Sequence, residues 1–329
     1  MIQGTGLRRC LHAVLLVGMI AAAGTSRAAS LNIGYSDWPG WVAWQVAIDK
    51  GWLKDAGLDV KFEWFDYSAS MDAFAAGKID ADLMTNGDAL VTGAGGARNL
   101  MVMVTDYSNG NDMIVARPGI KNLKDLRGKK IGIEVGLVEH LLLTDGLKKA
   151  GLTPADVTLV NAKTNETPQV LASGQVDAIG AWQPNSGMAI KTLPGSRPIY
   201  TSAEAPGLIY DVLAVNPASF AAHRSEYTKL LRVWDRVVSY IADPNTQPDA
   251  LRIMAARVGL SPEQYKPLLD GTHLIGVSEA KGVFKKAAGL DSLYGSSTNA
   301  DDFNVKNGVY KSPQNIDGYI YPSLTMAMP

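Results

Sequence analysis

The sequence predicts an α/β fold built as two lobes. Short apolar segments alternate with helical segments that end at glycine, which is typical of βαβ units with parallel strands. A weak internal repeat supports the division into two. The stretch FAAGKIDADLMTNGDA from Phe74 resembles LASGQVDAIGAWQPNS from Leu171, with Asp80 matching Asp177. We therefore expect two mixed, mostly parallel sheets, each flanked by helices.

Residues 1–28 predict a secretory signal peptide. Arg8 and Arg9 precede an apolar run that is shorter than the ~20 residues needed to span a bilayer, and the segment ends in a Ser26-x-Ala28 cleavage site. An uncleaved anchor is the alternative. The sole cysteine, Cys10, lies in this segment, so we expect an exported mature chain without disulfides or cysteine metal ligands.

The first lobe begins with residues 30–115. Pro39 suits the first position of a helix, because the N–H that proline lacks would have no partner there anyway. The predicted elements, in order, are the strand LNIGYS, the helix PGWVAWQVAIDKG, the short helix WLKDAG, the strand LDVKFEWFD, the helix SMDAFAAGKID, the strand ADLMT, a turn and the helix in NGDALVTGAGG, and the strand LMVMVTDY.

The second lobe, residues 118–211, repeats this order, and residues 213–329 complete the first lobe. The chain is expected to cross between the lobes near residues 114–118 and 212–217. Helices then dominate, with an irregular C-terminal wrap from Phe303. The predicted elements are a small helix in NLKDL, the strand KKIGIEVG, the helix LVEHLLLTDGLKKAG, the strand DVTLVNA, the helix TPQVLASGQVDA, and the strands IGAWQP, RPIYTS and IYDVLAVN.

The charge balance argues against nucleic acid and anionic membranes as partners. The chain has 31 Lys and Arg against 32 Asp and Glu, and three of the basic residues precede the cleavage site. The mature chain is therefore mildly acidic, and it contains no run of Lys and Arg. We expect a monomer that binds a small molecule.

Several motifs, in this order, resemble the periplasmic solute-binding proteins of nitrate/sulfonate/taurine-type ABC importers. They are KGWLKDAGLDVKF, AAGKIDA, IKNLKDLRGKKIGI and LASGQVDA. The resemblance covers essentially the whole mature chain. It implies a type II-like periplasmic-binding-protein fold with the ligand in the cleft between the lobes. It also implies a permease in the inner membrane, with its cytoplasmic ATPase, as the partner.

Within this group, other segments resemble the members that accompany urea-carboxylase-type genes. Those members are similar to proteins proposed to import urea or guanidine. The segments are YSDWPGWVAWQ, TNGDALVTGA, YSNGNDM, AWQPNSG and SLYGSS.

The site is expected in the loops that follow the strands, because ligands of open α/β sheets bind beyond the carboxyl ends of the strands. The candidate ligand-binding residues are the polar, acidic and aromatic residues of these loops and of one crossing segment, together with Gly136 and Leu137, which follow the strand KIGI. They are Ser36, Asp37, Trp38, Asp66, Asn86, Asp88, Glu134, Gly136, Leu137, Trp182, Gln183, Asn185 and Asp211.

These loops are acidic and aromatic, and none carries Lys or Arg at the candidate positions. A sulfonate or nitrate needs cationic groups or free helix N-termini. A planar cation instead needs a carboxylate and an aromatic face, a cation–π contact worth ~0.5–2 kcal/mol. The sequence therefore favours guanidinium or a related planar cation, held by Asp37 and Trp38 from one lobe and Glu134 and Trp182 from the other. Urea is the second choice, and an aliphatic sulfonate, taurine or nitrate the third.

Several candidates also have a purely structural interpretation. Ser36 or Asp37 could cap the helix at Pro39, and Asp88 could cap the helix that follows Asn86. Asp211 could serve hydrogen bonding in the hinge. Among the other aromatic residues, Trp41 and Trp44 favour the core, and Trp64 could face either side of its strand.

An enzyme and a sensor are the competing classes of function. Some members of the wider group resemble the pyrimidine-synthesising enzymes of thiamine biosynthesis, which depend on a histidine and a cysteine-rich iron site. The mature chain has no cysteine, and its histidines (His140, His223 and His273) are scattered. We therefore expect no catalysis, no cofactor and no metal site. A ligand sensor differs from a transport component only in its partner.

Overall fold

The computed structural model describes Met1 and residues 30–329, so the predicted signal peptide lies outside the described residues. No helix among the described residues combines the length and the hydropathy needed to cross a membrane. The strands are β1 (Leu31–Tyr35), β2 (Val60–Trp64), β3 (Ala81–Thr85), β4 (Leu100–Ser108), β5 (Met113–Ala116), β6 (Lys130–Ile133), β7 (Thr158–Asn161), β8 (Ala178–Ala181), β9 (Arg197–Thr201), β10 (Tyr210–Val215) and β11 (Thr272–Leu274).

Helices cover both sheets and make up most of the C-terminal third. They are α1 (Pro39–Val42), α2 (Trp44–Asp49), α3 (Trp52–Asp55), α4 (Tyr67–Ala75), α5 (Asn86–Ala94), α6 (Val138–Lys149), α7 (Thr167–Ala172), α8 (Asn185–Thr192), α9 (Pro217–Ala222), α10 (Arg224–Ala242), α11 (Gln247–Arg257), α12 (Pro262–Asp270), α13 (Val277–Val283), α14 (Leu293–Lys306) and α15 (Ser323–Met326).

The strands form two mixed sheets, as the sequence predicts. Lobe I contains the order β11-β4-β10-β3-β1-β2, and lobe II contains β7-β6-β8-β5-β9. In both lobes three parallel strands are joined by antiparallel ones. The chain crosses at residues 109–112 and 202–209, a few residues before the predicted positions. The positions differ because β5 pairs within lobe II and β10 pairs within lobe I. The sequence of a short, buried, apolar strand does not indicate which sheet it joins.

The internal repeat corresponds to equivalent structure in the two lobes. The Asp80 carboxylate accepts a hydrogen bond from the backbone N–H of Asn32 at 2.9 Å, where β1 begins. The Asp177 carboxylate accepts one from the N–H of Lys130 at 2.9 Å, where β6 begins. Both aspartates thus tie the turn before the third parallel strand to the first.

Two local features differ from the sequence prediction. The helix expected after Pro39 is interrupted at Ala43 and forms α1 and α2. Strand β11 was not predicted, since it is only three residues long and lies between helices. The core is as aromatic as expected: the Trp44 ring packs against Trp234 with 5.0 Å between centroids, and both side chains are fully buried.

A buried carboxyl in β3 provides a stability prediction. Asp82 is fully buried, and the nearby Ser70 hydroxyl donates to the carbonyl of Tyr67 at 2.7 Å. Burial raises the pKa of Asp82 to about 8. Because this pKa is raised, the stability from the protonated group is complete below its ordinary pKa of 3.8 and is lost as the pH rises towards 8.

We therefore expect Asp82→Asn to stabilise the protein increasingly as the pH rises from 5 to 8. The gain in unfolding free energy should be at most ~1.4 kcal/mol per pH unit. Denaturant melts at several pH values would measure it, with the exposed Asp72→Asn as control. A gain that does not change with pH would show that Asp82 is ionised in the folded protein.

Candidate functional site

The loops after the parallel strands of both lobes meet in the cleft. Asp37, after β1, accepts hydrogen bonds from two side chains of lobe II, Trp182 Nε1 at 3.1 Å and Asn185 Nδ2 at 2.9 Å. The Tyr67 ring of lobe I meets Trp182 edge to face, with 5.3 Å between centroids. The lobes are thus in direct contact.

A small cavity lies between the lobes, and we call it the inner cavity. It has a volume of about 230 Å³, part of which is open to solvent. It therefore suits an occupant of few atoms. It is lined by Trp38, Trp41, Tyr67, Thr85, Asp112, Val138, Trp182, Ile209 and Asp211.

Two pairs of buried carboxyls adjoin this cavity. Asp106 and Asp211 are register partners on β4 and β10, and Asp112 of the first crossing segment adjoins Glu139 in the first turn of α6. Apart from the partner carboxyl of each pair, no group in residues 30–329 donates a hydrogen bond to either oxygen of Asp211 or Glu139, or to Asp106 Oδ2 or Asp112 Oδ2.

The pairs share their charge. Desolvation raises the pKa of Asp106 and of Asp112 to about 6 each. Desolvation, with the charge of the partner added, raises the pKa of Asp211 and of Glu139 well above the ordinary range. Near neutral pH each pair therefore retains a proton and carries about one negative charge.

The DWPGW segment is built around Asp106. The indole Nε1 of Trp38 donates to Asp106 Oδ1 at 2.8 Å. A Cβ on Gly40 would lie 2.2 Å from Asp106 Oδ2, so only glycine permits the carboxylate to approach α1 this closely. Trp41 faces the inner cavity. The tryptophans thus frame the carboxylate as well as filling the core.

Asp88 is a further acid of the cleft. Its carboxylate accepts a hydrogen bond from the Tyr67 hydroxyl at 2.6 Å. Burial raises its pKa to about 7, and the Tyr67 hydrogen bond partly opposes this. Asp88 does not cap α5, since that position belongs to Thr85, whose hydroxyl accepts from the N–H of Asp88. Tyr67 therefore links Asp88 to the inner cavity.

A second, wider opening lies outside the Tyr67–Trp182 contact, and we call it the mouth. Glu134 lies here rather than in the inner cavity, and it accepts a hydrogen bond from Thr164 at 3.1 Å. Desolvation raises the pKa of Glu134. The mouth is lined by Asp37, Trp64, Phe65, Asp66, Tyr67, Ser68, Glu134, Lys163, Thr164, Asn165, Trp182 and Asn185.

The other candidate residues lie outside the inner cavity. Asn86 donates to Ser296 and Ser297 and accepts from the N–H of Tyr210. Leu137 lines a separate apolar gap beside Asn86. The remaining candidates lie elsewhere around the cleft. Ser36 is buried, and Asp66 is exposed at the mouth. Gly136 has φ +92°, and Gln183 precedes a cis bond to Pro184.

The capping alternative for Ser36 and Asp37 is wrong. The N-cap position of α1 is Trp38, and no side chain caps the helix. Trp64 is exposed, with the Arg257 guanidinium 4.1 Å from its ring centroid.

Sequence reasoning missed Asp106, Asp112 and Glu139 as parts of the site. Asp106 lies within an apolar strand, and Glu139 reads as an ordinary acid in the first turn of a helix. The available signal was the acid in LMVMVTDY, because a charge in a buried strand requires a partner. Within residues 30–329, no group of three or more His, Cys, Asp or Glu side chains is arranged to hold a metal ion.

Comparison with known proteins assigns the family. The sequence model described as "NMT1/THI5 like" matches residues 38–247. The chain belongs to the NMT1/THI5-like family. A Brucella abortus protein, named provisionally as a binding protein, is 30% identical over 167 residues, 50% of this chain and 51% of the relative. This chain thus matches about half the length of such curated relatives.

Two further relatives differ in what they establish. The taurine-binding periplasmic protein of Escherichia coli is 24% identical over 272 residues, covering 78% of this chain and 82% of the relative. The alkanesulfonate-binding protein SsuA of Xanthomonas axonopodis, solved with MOPS, matches with a TM-score of 0.75 at 17% identity, over 89% of this chain and 98% of that one. The structural match confirms the predicted fold only.

The fold also occurs in an enzyme. The desulfurization enzyme DSZB matches with a TM-score of 0.62 at 16% identity, covering 90% of this chain and 97% of the enzyme. Fold alone therefore does not decide between binding and catalysis.

Proposed function

We propose that this NMT1/THI5-like protein is the periplasmic binding component of an ABC importer, and that it captures a small planar cation, with guanidinium favoured. One observation carries the proposal. The inner cavity is lined by four aromatic residues and two carboxyls, and none of its nine lining residues is Lys or Arg.

Charge decides between the ligand classes. Two like charges 4 Å apart repel by about 4 kcal/mol at an effective dielectric constant of 20. The carboxyl pairs beside the inner cavity would act on a sulfonate in this way from more than one side. Each carboxyl pair would attract a cation instead of repelling it. The N–H groups of a guanidinium would also donate hydrogen bonds to Asp112 Oδ2 and to the oxygens of Asp211.

Shape and donor count favour a guanidinium-type cation among cations. A planar group can stack on an indole face while its N–H groups reach carboxylates in its plane. Trp38, Trp41 and Trp182 supply faces, and Asp112 and Asp211 supply acceptors. Urea has similar N–H donors, but its neutrality leaves the negative charge of the carboxyl pairs unbalanced.

A sulfonate is the second candidate, because relatives are named for sulfonate and taurine binding. Lys163 lines the mouth and not the inner cavity. A sulfonate would therefore bind at the mouth, in contact with Lys163, whereas the proposed cation binds inside.

A thermal-shift screen tests the proposed function. A ligand that binds only the folded protein raises its melting temperature, by an amount that grows with concentration over Kd. We expect a rise with guanidinium at low millimolar concentrations, below the denaturing range, and none with taurine or nitrate. Stabilisation by taurine or nitrate with no response to guanidinium would reject the cation proposal.

A further inference from the structure

The contacts of Asp37 point to a role other than ligand binding. Its carboxylate oxygens are each engaged by a different donor, Trp182 at 3.1 Å and Asn185 at 2.9 Å, and both donors belong to the opposite lobe. Each oxygen thus gives one of its two acceptor sites to the opposite lobe, and the carboxylate lines the mouth rather than the inner cavity.

The position of this contact matters as much as its chemistry. Tyr67 and Trp182 line both the inner cavity and the mouth, so they form the partition between the two spaces. Asp37 and Asn185 line the mouth alone. The hydrogen bonds of Asp37 thus hold Trp182, the lobe II half of the partition, against lobe I.

We propose that Asp37 is a positioning residue that latches the two lobes behind the ligand and so limits the ligand to one that fits wholly within the inner cavity. This inference rests on the proposed function for the identity of the ligand. It differs from the sequence-based expectation that Asp37 itself contacts the cation. A ligand with a long substituent would pass between Tyr67 and Trp182 and keep the latch open.

Two substitutions separate the latch from a ligand contact. Asp37→Asn keeps the shape of the side chain but replaces one carboxylate oxygen with an NH₂ group. That NH₂ group would face the N–H of Trp182 or Asn185, which are donors themselves. Asn185→Leu removes the Nδ2 donor at a residue that lines the mouth and not the inner cavity. We expect each to speed guanidinium dissociation about tenfold or more, since hydrogen bonds to charged groups are the strong ones and affinity changes act mainly on the off-rate. The double variant should show less than the product of the two effects.

Discrimination by ligand length is the readout that a general loss of stability would not change. The wild type should bind guanidinium far better than n-butylguanidinium, which carries the same single charge on a longer molecule. Asp37→Asn should weaken the short ligand and leave the long one nearly unchanged, because the latch cannot form around it. Asp72→Asn, which removes an exposed carboxylate of α4, is the matched control and should behave as wild type.

Small-angle scattering of the variants tests the latch without any ligand. Asp37→Asn should increase the radius of gyration relative to wild type and to Asp72→Asn. If guanidinium does not bind but Asp37→Asn opens the lobes, the proposed function fails and the latch stands. If guanidinium binds while the off-rate, the length discrimination and the scattering of Asp37→Asn all match wild type, the latch is wrong.

Discussion

The double variant Asp112→Asn, Asp211→Asn is expected to lose measurable guanidinium binding at pH 7.5. These are the two carboxyls that line the inner cavity. Asp112 Oδ2 and both oxygens of Asp211 are buried without an N–H or hydroxyl donor from residues 30–329. Each single substitution should cost about 2–5 kcal/mol of binding free energy, the range for removing one partner of a buried hydrogen-bonded charge pair. Titration calorimetry of all three variants would measure the losses.

Folding of these variants is expected to be preserved. The isosteric amide keeps the shape of the carboxyl and supplies its own N–H donors, so the pairs Asp106–Asp211 and Asp112–Glu139 no longer depend on a shared proton. The melting temperatures should therefore equal or exceed that of wild type, with Asp72→Asn as the control for a lost surface charge. A double variant that still binds guanidinium with wild-type affinity would exclude the inner cavity as the site.

Affinity for the cation is expected to rise steeply between pH 5 and pH 8. The ionised carboxyls bind the cation, and burial holds the pKa of Asp106 and Asp112 at about 6 and that of Asp88 at about 7. A bound cation lowers these pKa values, so binding releases protons. For each proton released, the affinity falls by up to about tenfold per pH unit below the pKa.

The groups that set this titration come from every element around the cavity. Besides Asp88, Asp106 and Asp112, burial raises the pKa of Glu139 and Asp211. Glu134 adds negative charge from the mouth, and His273 lowers the pKa of Asp106. Calorimetry in buffers of different ionisation enthalpy would count the protons. An affinity that is constant with pH, or that strengthens as the pH falls, would contradict cation binding and would suit an anion.

Much of the fold was predictable because its signals are local. Apolar strands, glycine helix ends and the Asp80–Asp177 repeat indicated two lobes with the site at the strand ends. Sheet membership of β5 and β10 was not predictable, since both are short buried apolar strands that could pair in either lobe. The early break of the helix after Pro39 was equally hidden.

The candidate site was predictable in its chemistry and less so in its geometry. Asp37, Trp38 and Trp182 are all in the cleft, but Asp37 contacts the opposite lobe and Trp38 contacts Asp106. Sequence reasoning could not see that Asp106 and Asp211 would become register partners, because strand pairing brings together residues distant in the chain. Their roles toward a ligand stay predictions.

Calorimetry of the mature protein with guanidinium and with taurine, at low salt and pH 7.5, tests the central claim most directly. We predict saturable binding of guanidinium with proton release, and no heat of binding with taurine. Saturable taurine binding without any guanidinium response would contradict the account. It would mean that the buried carboxyls serve the structure of the cleft and that the ligand anion binds elsewhere.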